Sequence, residues 1–509
     1  MLVVLVLVLL TLIRLADHAA RKKRMRRAYH FRPEPVLGSA RYATEKDCRK
    51  RGLFRGKGVR IGYGPRGRRA LYYPGFGHIL TIAAARMGKG ATLICNALLS
   101  WRYSALVIDP KAENAAVTGH YRRRFGKVYV LNPFGILADS LKGLKVGRLN
   151  PMAVLDVGSR SFHASCDKLA AALVWDEGRD GLHFTTAARM LVSGVIAAVM
   201  RYGAEGEQNL VTVARIISGP HFFGFCRRVV QSTTDPFIVQ KLGRFAAQGA
   251  ENIREVVDVV STAITQLGFI GNAAIADCLS GSDFRFSDLA RKAGTTVFIC
   301  LPLNMLDVCD KFFRLILETA LMDLLSEGRR GMRRRVLAVI DEMAQLGPQM
   351  KSLENAMGMA AGAAGLQLWC VLQDLSQLKG MFPQTWETFI QNCGATLWFG
   401  ARDQTTRTYV SALAGTREVV SRSHGVTIDR MTGEPVVSDS MAQHAVPLLL
   451  PEEVGALATD EMIAFVEGVN GVIRAKRKFY FRCSEFRGKY RANPYMKRAG
   501  GWLKSLFAR

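Results

Sequence analysis

Residues 78–101 read HILTIAAARMGKGATLICNALLSW: an apolar run, a loop of small residues closing on Gly88-Lys89-Gly90, and a helix-forming stretch. A buried strand that runs through such a loop into a helix aims several backbone N–H groups at one point, which is how a phosphate is cradled. On this reading Ala83, Ala84, Ala85, Arg86, Met87, Gly88, Lys89, Gly90 and Ala91 wrap the phosphates of a nucleotide, with Lys89 reaching the β and γ oxygens. The pattern departs from the usual one twice. Ala83 replaces the first glycine, and Gly90 stands where a Ser or Thr hydroxyl ordinarily meets Mg²⁺. Taken alone, the loop is a weak signal.

Its company strengthens it. VLAVID at 336–341 is a buried-strand pattern ending in Asp341-Glu342, and LQLWCVLQ at 366–373 ends in Gln373. In open α/β sheets ligands gather at the C-terminal ends of the strands. Asp341 is accordingly expected to hold Mg²⁺, Glu342 to polarise an attacking water as general base, and Gln373 to sense the γ-phosphate. A bland reading takes Asp341 and Glu342 as a surface carboxylate pair. Three strand ends carrying Lys89, Asp341 and Gln373 in order favour an ATPase using ATP and Mg²⁺. Asp109, Lys111 and Glu113 of SALVIDPKAEN lie beside the presumed site, as part of it or as a structural ion pair.

Further apolar runs at 127–133, 295–302, 395–401 and 462–468 predict one large α/β domain with a mainly parallel sheet. Between 155 and 290 the strand texture gives way to helical spacing, as in Val256, Val259, Val260, Ala263, Ile264 and Leu267, which predicts an inserted all-α domain. The expected division is a membrane anchor at 1–20, a basic linker and entry subdomain at 21–73, a discontinuous nucleotide-binding domain at 74–154 and 291–485, the helical insertion at 155–290, and a basic tail at 486–509. The basic, aromatic-bearing stretch from 471 to 509 is read as a solvated surface in preference to a nucleic-acid contact.

At 509 residues the chain is long enough for two or more domains. Lys and Arg total 70 against 42 Asp and Glu, a net +28 that suits polyphosphate or anionic-lipid partners. Ten scattered cysteines with no CxxC pair read as reduced core residues, and no clustered ligands support zinc. Residues 1–13 form an apolar run followed by a basic cluster from Arg21 to Arg27, which places the following chain on the cytoplasmic side of a membrane. Thirteen helical residues cover about 20 Å of a hydrocarbon core of about 30 Å, so either the native membrane region is longer or the helix spans with local bilayer thinning and help from Leu15 and Ala16. The basic cluster can also hold anionic lipid at about 1 kcal/mol per residue, so it is not counted twice toward nucleic acid.

These residues resemble the TraG/TraD-type coupling ATPases of type IV secretion and conjugation. The likeness is carried by GSARYAT (38–44), AAARMGKG, VIDPKAEN, LNP (149–151), IDEMAQLG, LQLWCVLQDLSQLK (366–379) and FGARDQTTRTYVSALAGT (399–416), in order along some 450 residues, and continues through LLLPEEV and DEMIAFVEG. It implies a RecA-like P-loop motor, forming a homo-hexamer, that recruits single-stranded DNA or a relaxase–DNA complex to secretion-channel components at the inner membrane. It assigns phosphate binding to Lys89, Mg²⁺ and water activation to Asp341 and Glu342, and γ-phosphate sensing to Gln373, and it makes GKG an accepted form of the loop. Two departures stand out. The family usually has two transmembrane helices, whereas one short apolar run is present, and no Arg lies between Arg335 and Arg402 to serve as an arginine finger. Arg402 and Arg407 are the candidates for a finger acting in trans. A non-catalytic docking scaffold, suggested by Ala83 and Gly90, and a DNA-segregation or packaging motor without a channel are the competing functions.

Overall fold

The computed structural model describes residues 12–16, 19, 37–175, 182–247, 253–292, 294–302, 305–326, 335–347, 350–363, 365–428 and 435–497. Nearly all of the apolar run and the basic cluster expected at the membrane lie outside these residues. Two compact units form: one from 1–41 with 411–449, the other from 42–410 with 450–509.

The larger unit is organised by twelve strands: β1 (Val59–Tyr63), β2 (Ala70–Tyr73), β3 (His78–Ala83), β4 (Ser104–Ile108), β5 (Val128–Leu131), β6 (Lys145–Val146), β7 (Thr296–Ile299), β8 (Val336–Ile340), β9 (Leu366–Leu372), β10 (Cys393–Phe399), β13 (Glu461–Val466) and β14 (Ile473–Lys476). Their order is β2-β1-β14-β13-β10-β3-β9-β8-β4-β7-β5-β6. From β10 to β6 every neighbouring pair is parallel, whereas β13, β14, β1 and β2 extend the sheet antiparallel. Each apolar run read as a strand of the α/β domain overlaps one of these strands. Central strands β3, β4, β8 and β9 are buried along their whole length, as sheets covered by helices on both faces require. Buried polar side chains among them are paired: the Trp369 indole N–H donates to Thr81 Oγ1 at 2.9 Å, and the Leu368 N–H donates to His78 Nδ1 at 3.0 Å.

The stretch before residue 73 holds more than a linker. Thr44 caps a helix (Glu45–Lys50) in a reciprocal capping box with Asp47, and β1 and β2 then form an antiparallel hairpin on the sheet edge. Between β6 and β7 the described chain is helical. The helix Leu182–Tyr202 packs against Phe162–Leu173, Pro236–Ala246 and Ile253–Leu267. It is long and apolar enough to cross a membrane by composition, yet 67% of its most apolar window is buried within the protein, as expected of a core helix. The helix Leu306–Ser326 then packs on both Phe162–Leu173 and Lys351–Ala363, and so touches the insertion and the sheet domain together.

The smaller unit centres on a hairpin of β11 (Thr416–Ile428) and β12 (Pro435–Pro447), paired from Thr416 with Pro447 to Ile428 with Pro435. The Ala40 N–H donates to the Thr416 carbonyl at 3.0 Å and the Glu418 N–H to the Gly38 carbonyl at 3.1 Å, anchoring 38–40 alongside.

Candidate nucleotide site

The C-terminal ends of β3, β9, β8 and β4 lie side by side, so Lys89, Gln373, Asp341 and Asp109 come to one edge of the sheet. The loop after β3 turns on Arg86 and Gly88, both with positive φ (63° and 77°), and enters a helical turn at Gly90–Ile94 that continues as Cys95–Ser100. Lys89 is 8% exposed, and its Nζ donates to the Ala83 carbonyl at 3.0 Å, folding the side chain back over the loop. The same Nζ lies 3.7 Å from Glu342 Oε1, and Gln373 Nε2 donates to Glu342 Oε2 at 2.9 Å. Glu342 is thus held between a cation from β3 and an amide from β9. Its own backbone is left-handed (φ 57°), a conformation that costs a non-glycine residue energy and occurs where surrounding structure enforces a functional geometry.

Asp341 directly precedes it, and its N–H donates to the Ile108 carbonyl of the adjoining strand at 3.3 Å. Burial among strand ends pushes the Asp341 carboxyl up to about 6, with Glu342 adding to the rise and Lys89 and Lys111 opposing it. Asp109 is buried and accepts from the Ala115 N–H at 2.8 Å and from Asn114 Nδ2 at 3.1 Å. Burial is the main cause that lifts its carboxyl to about 7, and the Asp341 charge adds to it. Lys89, Glu342 and Gln373 are directly linked, with Asp341 beside them. Asp109 orders the start of the helix Glu113–Arg122, so its role in this structure is to shape the wall of the site.

The donor set fits Mg²⁺, a hard cation that takes oxygen ligands and retains water. Asp341 is the carboxylate that would meet it. The nearby Thr92 hydroxyl does not stand in for the one missing at Gly90, because its Oγ1 donates to the Gly88 carbonyl at 2.8 Å. A Cβ at Gly90 would meet only Asn114 Oδ1, at 3.7 Å, so the glycine is not imposed by crowding.

Arg477 was invisible to sequence reasoning. It follows β14, is 3% exposed, and donates through Nη1 to the Met87 carbonyl at 2.9 Å and to Thr92 Oγ1 at 3.1 Å. Its guanidinium carbon lies 3.7 Å from the centre of the Phe399 ring. Burial lowers its pKa to about 10, so it stays charged at neutral pH. One cation therefore ties the phosphate loop to two other strands. Its only sequence signal was membership of the basic run RAKRK, read as surface.

That surface reading needs correction. Tyr480, Cys483 and Phe486 are buried, the Arg491 N–H donates to the Val117 carbonyl at 3.0 Å, and the Tyr495 hydroxyl donates to the Lys111 carbonyl at 2.9 Å. Residues 480–495 strap the β-α unit beside the site, because aromatic rings interleaved with basic residues bury while the charged heads stay wet. Arg402 is exposed, and Arg407 is half-buried with its Nε donating to the Ala401 carbonyl at 3.0 Å. Neither is joined to Lys89, Asp341 or Glu342 within the chain. Nine described cysteines are free thiols, and among the described residues no cluster of metal-ligating side chains forms.

The profile of the family described as type IV secretory system conjugative DNA transfer matches residues 33–499. Protein VirD4 of Agrobacterium fabrum (strain C58 / ATCC 33970) is 26% identical over 415 residues, which cover 79% of this chain and 58% of that protein. The chain therefore spans little more than half the length of that relative. Conjugal transfer protein TraG of Escherichia coli is 25% identical over 512 residues, covering 89% of this chain and 78% of its own. Among solved structures, the bacterial conjugative coupling protein TrwBdeltaN70 in an unbound monoclinic form aligns with a TM-score of 0.65 at 16% identity, over 87% of this chain and 94% of that one. The plasmid coupling protein TrwB in complex with ADP and Mg²⁺ aligns at 0.63, again at 16% identity, over 87% and 94%. At that identity the likeness is one of fold, and it agrees with the mostly parallel sheet and helical layer described above.

Proposed function

The chain belongs to the family of type IV secretory system conjugative DNA transfer proteins, and from that premise we propose that it is an ATP-driven coupling protein that moves a DNA or nucleoprotein substrate into a secretion channel. The observation that carries the enzymatic part is the connected set Lys89, Glu342 and Gln373, contributed by three adjacent strand ends. Lys89 and the loop 83–91 bind the phosphates, in keeping with the nucleotide complexes of TrwB. Mg²⁺, held by Asp341, supplies charge neutralisation at the phosphates when bound. Glu342 accepts the proton of the attacking water, and Gln373, already bonded to that carboxylate, holds it in place and reports the γ-phosphate. Lys89 Nζ donates to the Ala83 carbonyl and lies beside Glu342, so the lysine that binds phosphate is held next to the proposed base.

The remaining parts rest on family membership. The helical region 155–290 recruits a relaxase–DNA complex or single-stranded DNA, the nucleotide domain at 74–154 and 291–485 drives it, and the segment 1–20 anchors the chain in the inner membrane with its bulk in the cytoplasm. Six copies form the ring, with Arg402 or Arg407 reaching a neighbour's nucleotide. A scaffold without catalysis has no need of a carboxylate held by both Lys89 and Gln373. The test is a pair of variants: Glu342→Gln should retain ATP binding while losing turnover, whereas Lys89→Ala should lose both. Normal turnover in Glu342→Gln would remove the proposed base.

A further inference from the structure

Away from the phosphate loop, a cavity of about 740 Å³ opens where the helices Phe162–Leu173, Leu306–Ser326 and Lys351–Ala363 meet. Its apolar part is made by Leu321, Met322 and Leu325. Its polar part carries four cations, Lys168, Arg189, Arg314 and Lys351, against the single carboxyl of Glu318. Four cations against one carboxyl leave the lining net positive, and like charges repel one another, although Arg314 also interacts with the Glu318 and Asp310 carboxylates. Burial raises the Glu318 carboxyl, and the Arg314 charge pulls the other way.

Trp175 closes one side. Its ring centre lies 4.6 Å from the Arg314 guanidinium carbon, and Arg189 Nε holds the preceding carbonyl, Val174 O, at 2.6 Å. The indole Nε1 is buried with no hydrogen-bond partner among the described residues. An N–H left unsatisfied beside a cavity is costly, and a ligand acceptor removes the cost. Lys351 and Ser352 also line the cavity from the first turn of a thirteen-residue helix, whose N-terminal end favours negative charge. The volume falls within the range of small-ligand sites.

We propose that this cavity binds a nucleoside monophosphate unit, its base against the apolar floor with an acceptor toward Trp175 Nε1, and its phosphate toward Arg314, Lys168 and Lys351. The helix Lys351–Ala363 begins ten residues after Asp341, and Phe162–Leu173 belongs to the helical insertion, so an occupant joins the insertion to the segment that carries the carboxylates. The inference does not depend on hydrolysis at the phosphate loop. The unit has two possible sources, a free nucleotide or one residue of a single strand.

The full chain carrying Lys89→Ala, which disables the phosphate loop, is titrated calorimetrically with thymidine 5′-monophosphate and, separately, with a 5′-phosphorylated thymidine hexanucleotide. The expected result is saturable binding of at least one probe, weakened about tenfold or more by the paired change Lys168→Glu and Lys351→Glu. Both positions are exposed, so the fold survives the change, and circular dichroism verifies this. Trp175→Phe, which removes the N–H and keeps the ring, should weaken the same binding. Capture of the mononucleotide identifies the free source, and capture of the hexanucleotide alone identifies the strand. Absence of binding by both probes, or binding indifferent to the paired charge reversal, overturns the proposal.

Discussion

Two residues decide how the site responds to its surroundings. The Asp341 carboxyl, raised to about 6, holds its proton in mildly acid solution, and Mg²⁺ competes for the deprotonated form. Affinity for Mg²⁺-nucleotide should therefore rise about tenfold per pH unit below about pH 6 and level off above it. Fluorescent-nucleotide titrations from pH 5 to 8 measure this, and Asp341→Asn should bind weakly with a flat profile. Arg477 is the other. Removing it leaves the Met87 carbonyl and Thr92 Oγ1 without a charged donor, worth about 1.5–3 kcal/mol, so Arg477→Ala should weaken nucleotide binding at least roughly tenfold. Arg477→Lys should restore part of it, since an ammonium reaches one acceptor where the guanidinium fork reaches several. That Lys89, Asp341, Glu342 and Gln373 come together was foreseeable from the sequence because each follows a recognisable apolar run, directly or across a short loop. Arg477 was not, because its role comes from tertiary contact with a loop 390 positions away.

At the scale of elements, the phosphate loop makes two opposite predictions about its glycines. Gly88 has φ 77°, where a side chain costs about 1–2 kcal/mol, so Gly88→Ala should lower nucleotide affinity by relaxing the loop. Gly90 has room, so Gly90→Ser should fold normally, with an unchanged melting temperature, and bind Mg²⁺-nucleotide at least as well as the parent chain. Thermal unfolding with and without Mg²⁺-ADP checks both. The parallel strands were readable because burial on both faces demands continuous apolar runs such as VLAVI and LQLWCVL. The hairpin β11–β12 was missed for the converse reason. Its strands, TREVVSRSHGVTI and PVVSDSMAQHAVP, mix polar and apolar residues without a continuous apolar run, and their pairing is fixed by backbone bonds that leave no strong periodic signature. Strands β1, β2 and β14, toward one edge of the sheet, are only four or five residues long, so they too lacked one.

At the scale of the molecule, the helical insertion, the nucleotide site on the parallel sheet and the C-terminal strap belong to one compact unit. The strap predicts that deletion of residues 480–509 lowers thermal stability, because Tyr480, Cys483 and Phe486 close a core around Cys95, Leu99 and Val117; a basic tail in solvent would leave the melting temperature unchanged. The insertion was legible as helical spacing, whereas its junction with the helix Leu306–Ser326 depends on packing between segments far apart in the chain. The central claim concerns turnover coupled to nucleic acid, and its most direct test is ATP hydrolysis by the full chain with and without single-stranded DNA, beside Lys89→Ala and Glu342→Gln. The account predicts hydrolysis that single-stranded DNA stimulates and that both substitutions abolish. Nucleotide binding without turnover in every condition, or turnover indifferent to both substitutions, would contradict it.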